Sequence, residues 1–254
     1  QHTCEAIADG IAHNIDFLAT RYRDIAPRHR SLRAAFDQSW RLLAPVEQTA
    51  FGRLSIFVGG FDGAAAHAIG VSAHVLASLT DKSLVRRTLD GRYDLHEMLR
   101  QFAAELLQTM PEPSAAVVRQ HADYYVEWLN QQTFRLRGRE QKEALGEISA
   151  DYDNVRAAWQ TAIDQHFILL LDLAVQPLYD FYLLRSRLTE GLAAFEAARA
   201  TIEPFDTQTR RLAVQLDNIV AKLLLSSSRV VEAQALLENN LALEATHAMP
   251  DLEA

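Results

Sequence analysis

Asp90-Gly91 stands between two short strand-like runs, residues 84–89 and 92–96, while nearly every other apolar pattern in the chain recurs at helical spacing. Both turn residues tolerate positive φ, so the pair predicts a β-hairpin. A single hairpin set among helices cannot form a core layer of its own. The expected fold class is therefore mainly α, with the hairpin as a small wing on a helical module.

The segments on either side fit that reading. Leu32, Phe36, Trp40 and Leu43 fall on one helical face, with Ser31 placed as an N-cap. Pro45 suits a first helical turn, and Val46, Ala50, Leu54 and Phe57 form a second stripe that stops at Gly59-Gly60. Asp62 is expected to cap a short alanine-rich helix ending near Gly70, and Ser72 a helix carrying Val75, Leu76 and Leu79. After the wing, Leu99, Phe102, Leu106 and Leu107 predict a closing helix that ends before Pro111-Glu-Pro113. Four helices, a wing and a closing helix describe a winged-helix module over residues 25–111, preceded by a tail or linker over 1–24.

Residues 112–254 read as stacked helical hairpins, a helical-hairpin solenoid. Breaks are expected at Gly138, around His166, near Thr189-Glu190-Gly191, at Pro204 and at residues 226–228. A weak repeat with an offset of 42 aligns Leu188 with Val230, Glu190 with Glu232, Phe195 with Leu237 and Glu196 with Glu238.

Composition narrows the function. Hydrophobic residues are 49% and charged residues 23%, as in an ordinary globular protein. The most apolar stretch, 167–184, is broken by Asp172, Gln176, Pro177 and Asp180, so no membrane crossing is expected. A single Cys4 excludes an intramolecular disulfide and points to a cytoplasmic setting. The chain opens on Gln1 and ends in polar sequence, and a longer parent protein is expected. The net charge of −8 is uneven, about +1 over residues 1–100 and −9 over 101–254, so the second half would repel a phosphate backbone.

Three segments carry a resemblance: Ala35-Phe-Asp-Gln-Ser-Trp-Arg-Leu-Leu-Ala-Pro, Phe51-Gly-Arg-Leu-Ser-Ile-Phe-Val-Gly-Gly-Phe and Tyr93-Asp-Leu-His-Glu-Met-Leu-Arg-Gln-Phe-Ala. With Asp24-Ile-Ala-Pro-Arg-His-Arg-Ser and Asp153-Asn154, they are similar to the winged-helix part of NB-ARC-type signal-transduction ATPases, the STAND class, in bacterial LuxR- or AfsR-like regulators. That resemblance implies an upstream nucleotide-binding domain and tetratricopeptide-like repeats that bind an inducer or partner protein. It implies ADP or ATP with Mg in the parent and no cofactor in this segment. Leu95-His96-Glu97 falls on the family's Met-His-Asp motif. The resemblance thus implies that His96 contacts the ADP phosphate in the resting state, with Leu95 and Glu97 departing from the pattern.

Other chemistry finds little support in the residues. Lys82, Lys142 and Lys222 follow Asp81, Gln141 and Ala221, so the chain holds no phosphate-binding loop and no catalytic residue is expected. His2, Cys4 and His13 have no zinc spacing, and His67 and His74 lie seven apart across a glycine, so no metal is expected. Glu143 and Glu147 at i,i+4 read as a solvated face. Trp159, Tyr179, Phe181, Tyr182 and Phe195 are expected to be core. The rival is a DNA-binding winged-helix transcription regulator. Its recognition helix would be residues 72–80, which hold no Lys or Arg, so direct nucleic-acid binding is not expected. Arg28, Arg30, Arg33, Arg86, Arg87 and Arg92 are the basic groupings, expected at an interface or in solvent.

Overall fold

The computed structural model describes residues 27–110 and 114–247. Among these the fold is mainly α, with one two-stranded antiparallel hairpin. Two compact units are formed, residues 1–121 and 122–254. None of the described helices is long and apolar enough to cross a membrane.

The first unit contains α1 (Pro27–Arg41), α2 (Pro45–Leu54), α3 (Gly63–Ala68), α4 (Ala73–Asp81), β1 (Arg86–Arg87), β2 (Tyr93–Asp94) and α5 (Glu97–Thr109), and ends within α6 (Ser114–Leu136). Asp62 Oδ1 accepts the Ala65 N–H at 2.7 Å and Ser72 Oγ accepts the Val75 N–H at 3.4 Å, so both expected caps form. Ser31 is not a cap, because α1 begins at Pro27, whose fixed φ suits a first helical position. Val46 also departs from its expected apolar face. It is exposed, while Glu47 is buried in its place.

Phe51, Leu54, Phe57, Phe61, Ile69, Leu76 and Leu79 are almost completely excluded from solvent. Each such side chain contributes about 1.5–3 kcal/mol of transfer free energy. Phe57 stacks on Phe61 at 4.2 Å, and Phe36 of α1 meets Phe102 of α5 at 5.7 Å. The wing is shorter than its flanking runs suggest, with Arg86 opposite Asp94 and Arg87 opposite Tyr93. Gly91 adopts φ +83° in the turn. Phe61 adds a single antiparallel bridge to Tyr93, which ties the wing to the core.

The second unit continues α6 and adds α7 (Gln141–Ala150), α8 (Tyr152–Asp164), α9 (Ile168–Leu184), α10 (Leu188–Thr201), α11 (Thr207–Ser226) and α12 (Val230–His247). Consecutive helices pack on one another from α7 to α12, and α9 also meets α11, as in stacked hairpins. The breaks at Gly138, His166 and Pro204 lie between helices, and the one expected at residues 226–228 falls at residues 227–229. The break expected near Gly191 instead falls at residues 185–187. Gly191 is buried inside α10, where an added Cβ would lie 2.9 Å from the Tyr182 side chain. Glycine serves there for close helix approach rather than for a turn.

Three helix ends share one device. His166, Ser186 and Ser228 take φ of +53°, +55° and +62°. The N–H of the next residue reaches back five residues: Phe167 to Ala162, Arg187 to Tyr182, and Arg229 to Leu224, each at 2.9 Å. This is the left-handed closure that usually carries glycine. The second and third ends lie 42 residues apart and repeat a further detail: Arg187 Nε pairs with Glu190 at 2.6 Å, and Arg229 Nε with Glu232 at 2.7 Å. The weak sequence repeat therefore corresponds to two hairpins, α9 with α10 and α11 with α12.

Candidate functional site

The C-terminal end of α4, the first wing strand and the start of α5 enclose an open cavity of about 770 Å³. Its apolar lining comes from Leu84, Val85, Leu95 and Leu99, and its polar rim from Arg86, Arg87, Asp94, His96 and Glu97. Ser83 turns the chain out of α4 at φ +58°, closed by the Leu84 N–H on Leu79 O at 3.0 Å, and so sends Leu84 and Val85 under the wing.

His96 is exposed and is the N-cap of α5. Its Nδ1 accepts the Met98 N–H at 3.3 Å. A neutral imidazole accepting at Nδ1 carries its proton on Nε2, so the free nitrogen is a donor. The first turn of a helix also offers unpaired N–H groups and the positive end of the dipole, both favourable to an anion. Glu97 does not cancel this alone, because its carboxylate is held by Arg100 at 2.7 and 2.8 Å and by Gln101 at 2.9 Å. The Arg100 hydrogen bonds, opposed by desolvation, lower the Glu97 pKa below the ordinary value. Arg86 is likewise engaged with Asp94 at 2.5 Å, whereas Arg87 is exposed, its guanidinium 5.9 Å from the Tyr93 ring centre.

Glu47 is the residue near this region that sequence reasoning missed. It accepts the Ala44 N–H at 2.8 Å, the Ser78 hydroxyl at 2.5 Å, and the Lys82 ammonium through both oxygens at 2.5 and 2.6 Å. These bonds, Lys82 first, lower its pKa to about 2. One side chain thus caps α2 and clamps α4, the helix whose C-terminal end borders the cavity. A glutamate three residues after the N-cap position Ala44 was the available signal.

The other sequence candidates are structural. Glu147 receives both ends of the Arg135 guanidinium at 2.6 and 2.8 Å. Trp159, Phe181, Tyr182 and Phe195 are buried. Tyr179 is half-buried, with the Lys222 ammonium 5.6 Å from its ring centre. Around the buried aromatic residues, Tyr152 donates to Glu190, Arg187 lies 4.0 Å over the Tyr152 ring, and the Tyr152 and Tyr182 hydroxyls are 3.1 Å apart. Burial, then these hydrogen bonds, pushes the Tyr152 hydroxyl far above the ordinary tyrosine range. Among the described residues no three His, Cys, Asp or Glu side chains converge as a metal site, and His2, Cys4 and His13 lie outside those residues.

A DNA-reading surface would place α4 outward. Its exposed residues are Ala73, His74, Ala77 and Asp81, without a lysine or arginine. Arg33 pairs with Glu105 at 2.8 Å and Arg92 donates to Gly60 O at 2.8 Å, so these cations serve internal contacts. The side chains of Arg28 and Arg30 lie outside the described residues.

No family model and no solved structure matches the chain. It is similar to three proteins named "Putative HTH-type transcriptional regulator", one from Mycobacterium bovis and two from strains of Mycobacterium tuberculosis. Each is 34% identical over 203 residues, covering 75% of this chain and 23% of the relative. The chain thus spans about a quarter of the length of the curated relatives it matches, and its similarity is to a segment of transcriptional regulators.

Proposed function

We propose that this chain is a non-catalytic regulatory segment of a larger transcriptional regulator, acting through protein contacts rather than by reading DNA. The observation that carries the reading is the exposed face of α4, which holds no lysine or arginine, beside a cavity rimmed by an N-capping histidine. In this reading the first unit packs against a nucleotide-binding domain elsewhere in the regulator. His96 Nε2 donates there to the phosphate of bound ADP and favours the resting state. The helical hairpins bind an inducer or partner, which acts by preferring one of the two states. The resemblance of residues 93–103 to the STAND winged helix supports the nucleotide part. The relatives' names support transcription regulation and do not mention an ATPase.

The test is ADP release from the full-length regulator. His96→Ala should accelerate release and weaken ADP affinity about ten- to hundredfold, as expected for one lost hydrogen bond to a charged group. Unchanged affinity removes His96 from the nucleotide site. The second reading is a DNA-binding winged helix, and the relatives' printed name favours it. On that reading Arg87 and other wing residues would contact phosphates and α4 would enter the major groove, and duplex binding decides between the two.

A further inference from the structure

The cavity beside the wing joins an aliphatic floor to a rim with positive charge left over. Leu84, Val85 and Leu95 are buried beneath it and Leu99 is half-buried at its side. No phenylalanine, tyrosine or tryptophan is among the described residues that line it, so no such ring stands ready to stack on a nucleobase. The charges of the rim are sorted by their partners. Asp94 is held by Arg86, and Glu97 by Arg100 and Gln101. Arg87 meets the Tyr93 ring and no carboxylate among the described residues. His96 Nδ1 is occupied by the Met98 N–H, which leaves the neutral ring one donor, the Nε2 hydrogen. With its acids neutralised and a cation and a donor unspent, the cavity is complementary to an anion with an aliphatic body.

We propose that this cavity binds a small aliphatic carboxylate, its chain on the Leu84, Leu95 and Leu99 floor and its head against Arg87 and His96 Nε2. The volume, about 770 Å³, falls within the roughly 300–1,000 Å³ of small-molecule sites, which likewise pair an apolar lining with a few placed polar groups. A guanidinium takes a carboxylate through two parallel N–H bonds, and the ring contact of Arg87 at 5.9 Å consumes neither. Occupancy has a regulatory consequence. His96 has a single hydrogen to donate, so a carboxylate held there excludes a phosphate from it. Where His96 retains ADP in the full-length regulator, the carboxylate is therefore an effector that releases the resting state. That consequence rests on the functional reading above, and the binding itself does not.

The test titrates acetate, butyrate, hexanoate and octanoate into the 254-residue chain, followed by calorimetry and by the imidazole resonances of His96. Each methylene that enters the floor should tighten binding about fourfold. Octanol, with the same body and no charge, should bind about tenfold more weakly than octanoate or worse. Arg87→Gln should weaken octanoate about tenfold, with Arg87→Lys recovering part of the loss. Leu99→Gln should flatten the dependence on chain length, with thermal melts of all variants matching the parent. Absence of saturable binding, equal affinity across the series, or indifference to Arg87→Gln overturns the proposal. In the full-length regulator octanoate should accelerate ADP release from the parent and leave His96→Ala unchanged. Release that octanoate does not alter, while His96→Ala accelerates it, overturns the competition at His96. If His96→Ala retains ADP like the parent and octanoate still binds with these dependences, the nucleotide reading fails and the carboxylate site stands.

Discussion

The Lys82 ammonium lies 2.5 and 2.6 Å from the two carboxylate oxygens of Glu47, joining the end of α4 to the start of α2 across 35 residues of sequence. The same carboxylate caps Ala44 and accepts from Ser78. It fixes the helix on which the DNA question turns.

Because the folded-state pKa of Glu47 is lowered to about 2 from an ordinary 4.5, its ionised form is favoured in the folded chain. The resulting stability is fully present above the ordinary pKa and is lost as pH falls from about 4.5 toward 2. Urea midpoints measured between pH 7 and pH 2.5 should fall more steeply for the parent chain than for Glu47→Gln, and Glu47→Gln should be the less stable at pH 7. Parallel curves for the two proteins contradict the clamp.

Ser186 carries a side chain at φ +55°, where an L residue other than glycine costs about 1–2 kcal/mol. Ser186→Gly should therefore raise stability by about 1 kcal/mol, less the extra backbone entropy of glycine in the unfolded chain. Chemical denaturation measures it, and a loss of stability would contradict the left-handed closure.

Gly191→Ala should destabilise by about 1–3 kcal/mol, the usual cost of overpacking, since its Cβ would fall 2.9 Å from both Cβ and Cγ of Tyr182. A neutral or stabilising result, as for alanine in an open helix, contradicts the close approach of α9 and α10. This position also shows how a sequence signal misleads. A glycine near a polar pair reads as a break, and only the facing Tyr182 makes it a packing residue.

Elsewhere legibility followed the range of the interaction. Asp62 and Ser72 cap the helices that immediately follow them, and Asp90-Gly91 turns on its own φ preferences, so the sequence announces all three. The break at Asp151 between α7 and α8 has no glycine or proline to mark it. Ser186 occupies a position that glycine would advertise. The N3 position of Glu47 announces a cap for α2, but its clamp on α4 depends on Lys82 and Ser78, more than 30 residues away. His96 was legible as the residue between wing and helix, while its capping bond and the tautomer it selects required coordinates.

The helix-capping role of His96 and the nucleotide contact proposed for it separate by substitution. His96→Ala should cost about 1 kcal/mol through the lost cap. His96→Asp restores a cap acceptor but offers a negative charge instead of a donor. In the full-length regulator the aspartate variant should keep its thermal stability and still release ADP faster than the parent. If the aspartate variant retains ADP normally, the histidine is a helix cap and no more.

The most direct test of the account is selection of the 254-residue chain against a randomised duplex DNA pool, followed by anisotropy titration of any enriched sequence at physiological salt. A segment that works through protein contacts should enrich no motif and should bind duplexes no better than the non-specific range, about 10⁻⁴–10⁻⁶ M. An enriched motif bound at about 10⁻⁸ M or tighter, and weakened by substitutions on α4 or at Arg87, would contradict it and establish the first unit as the DNA reader.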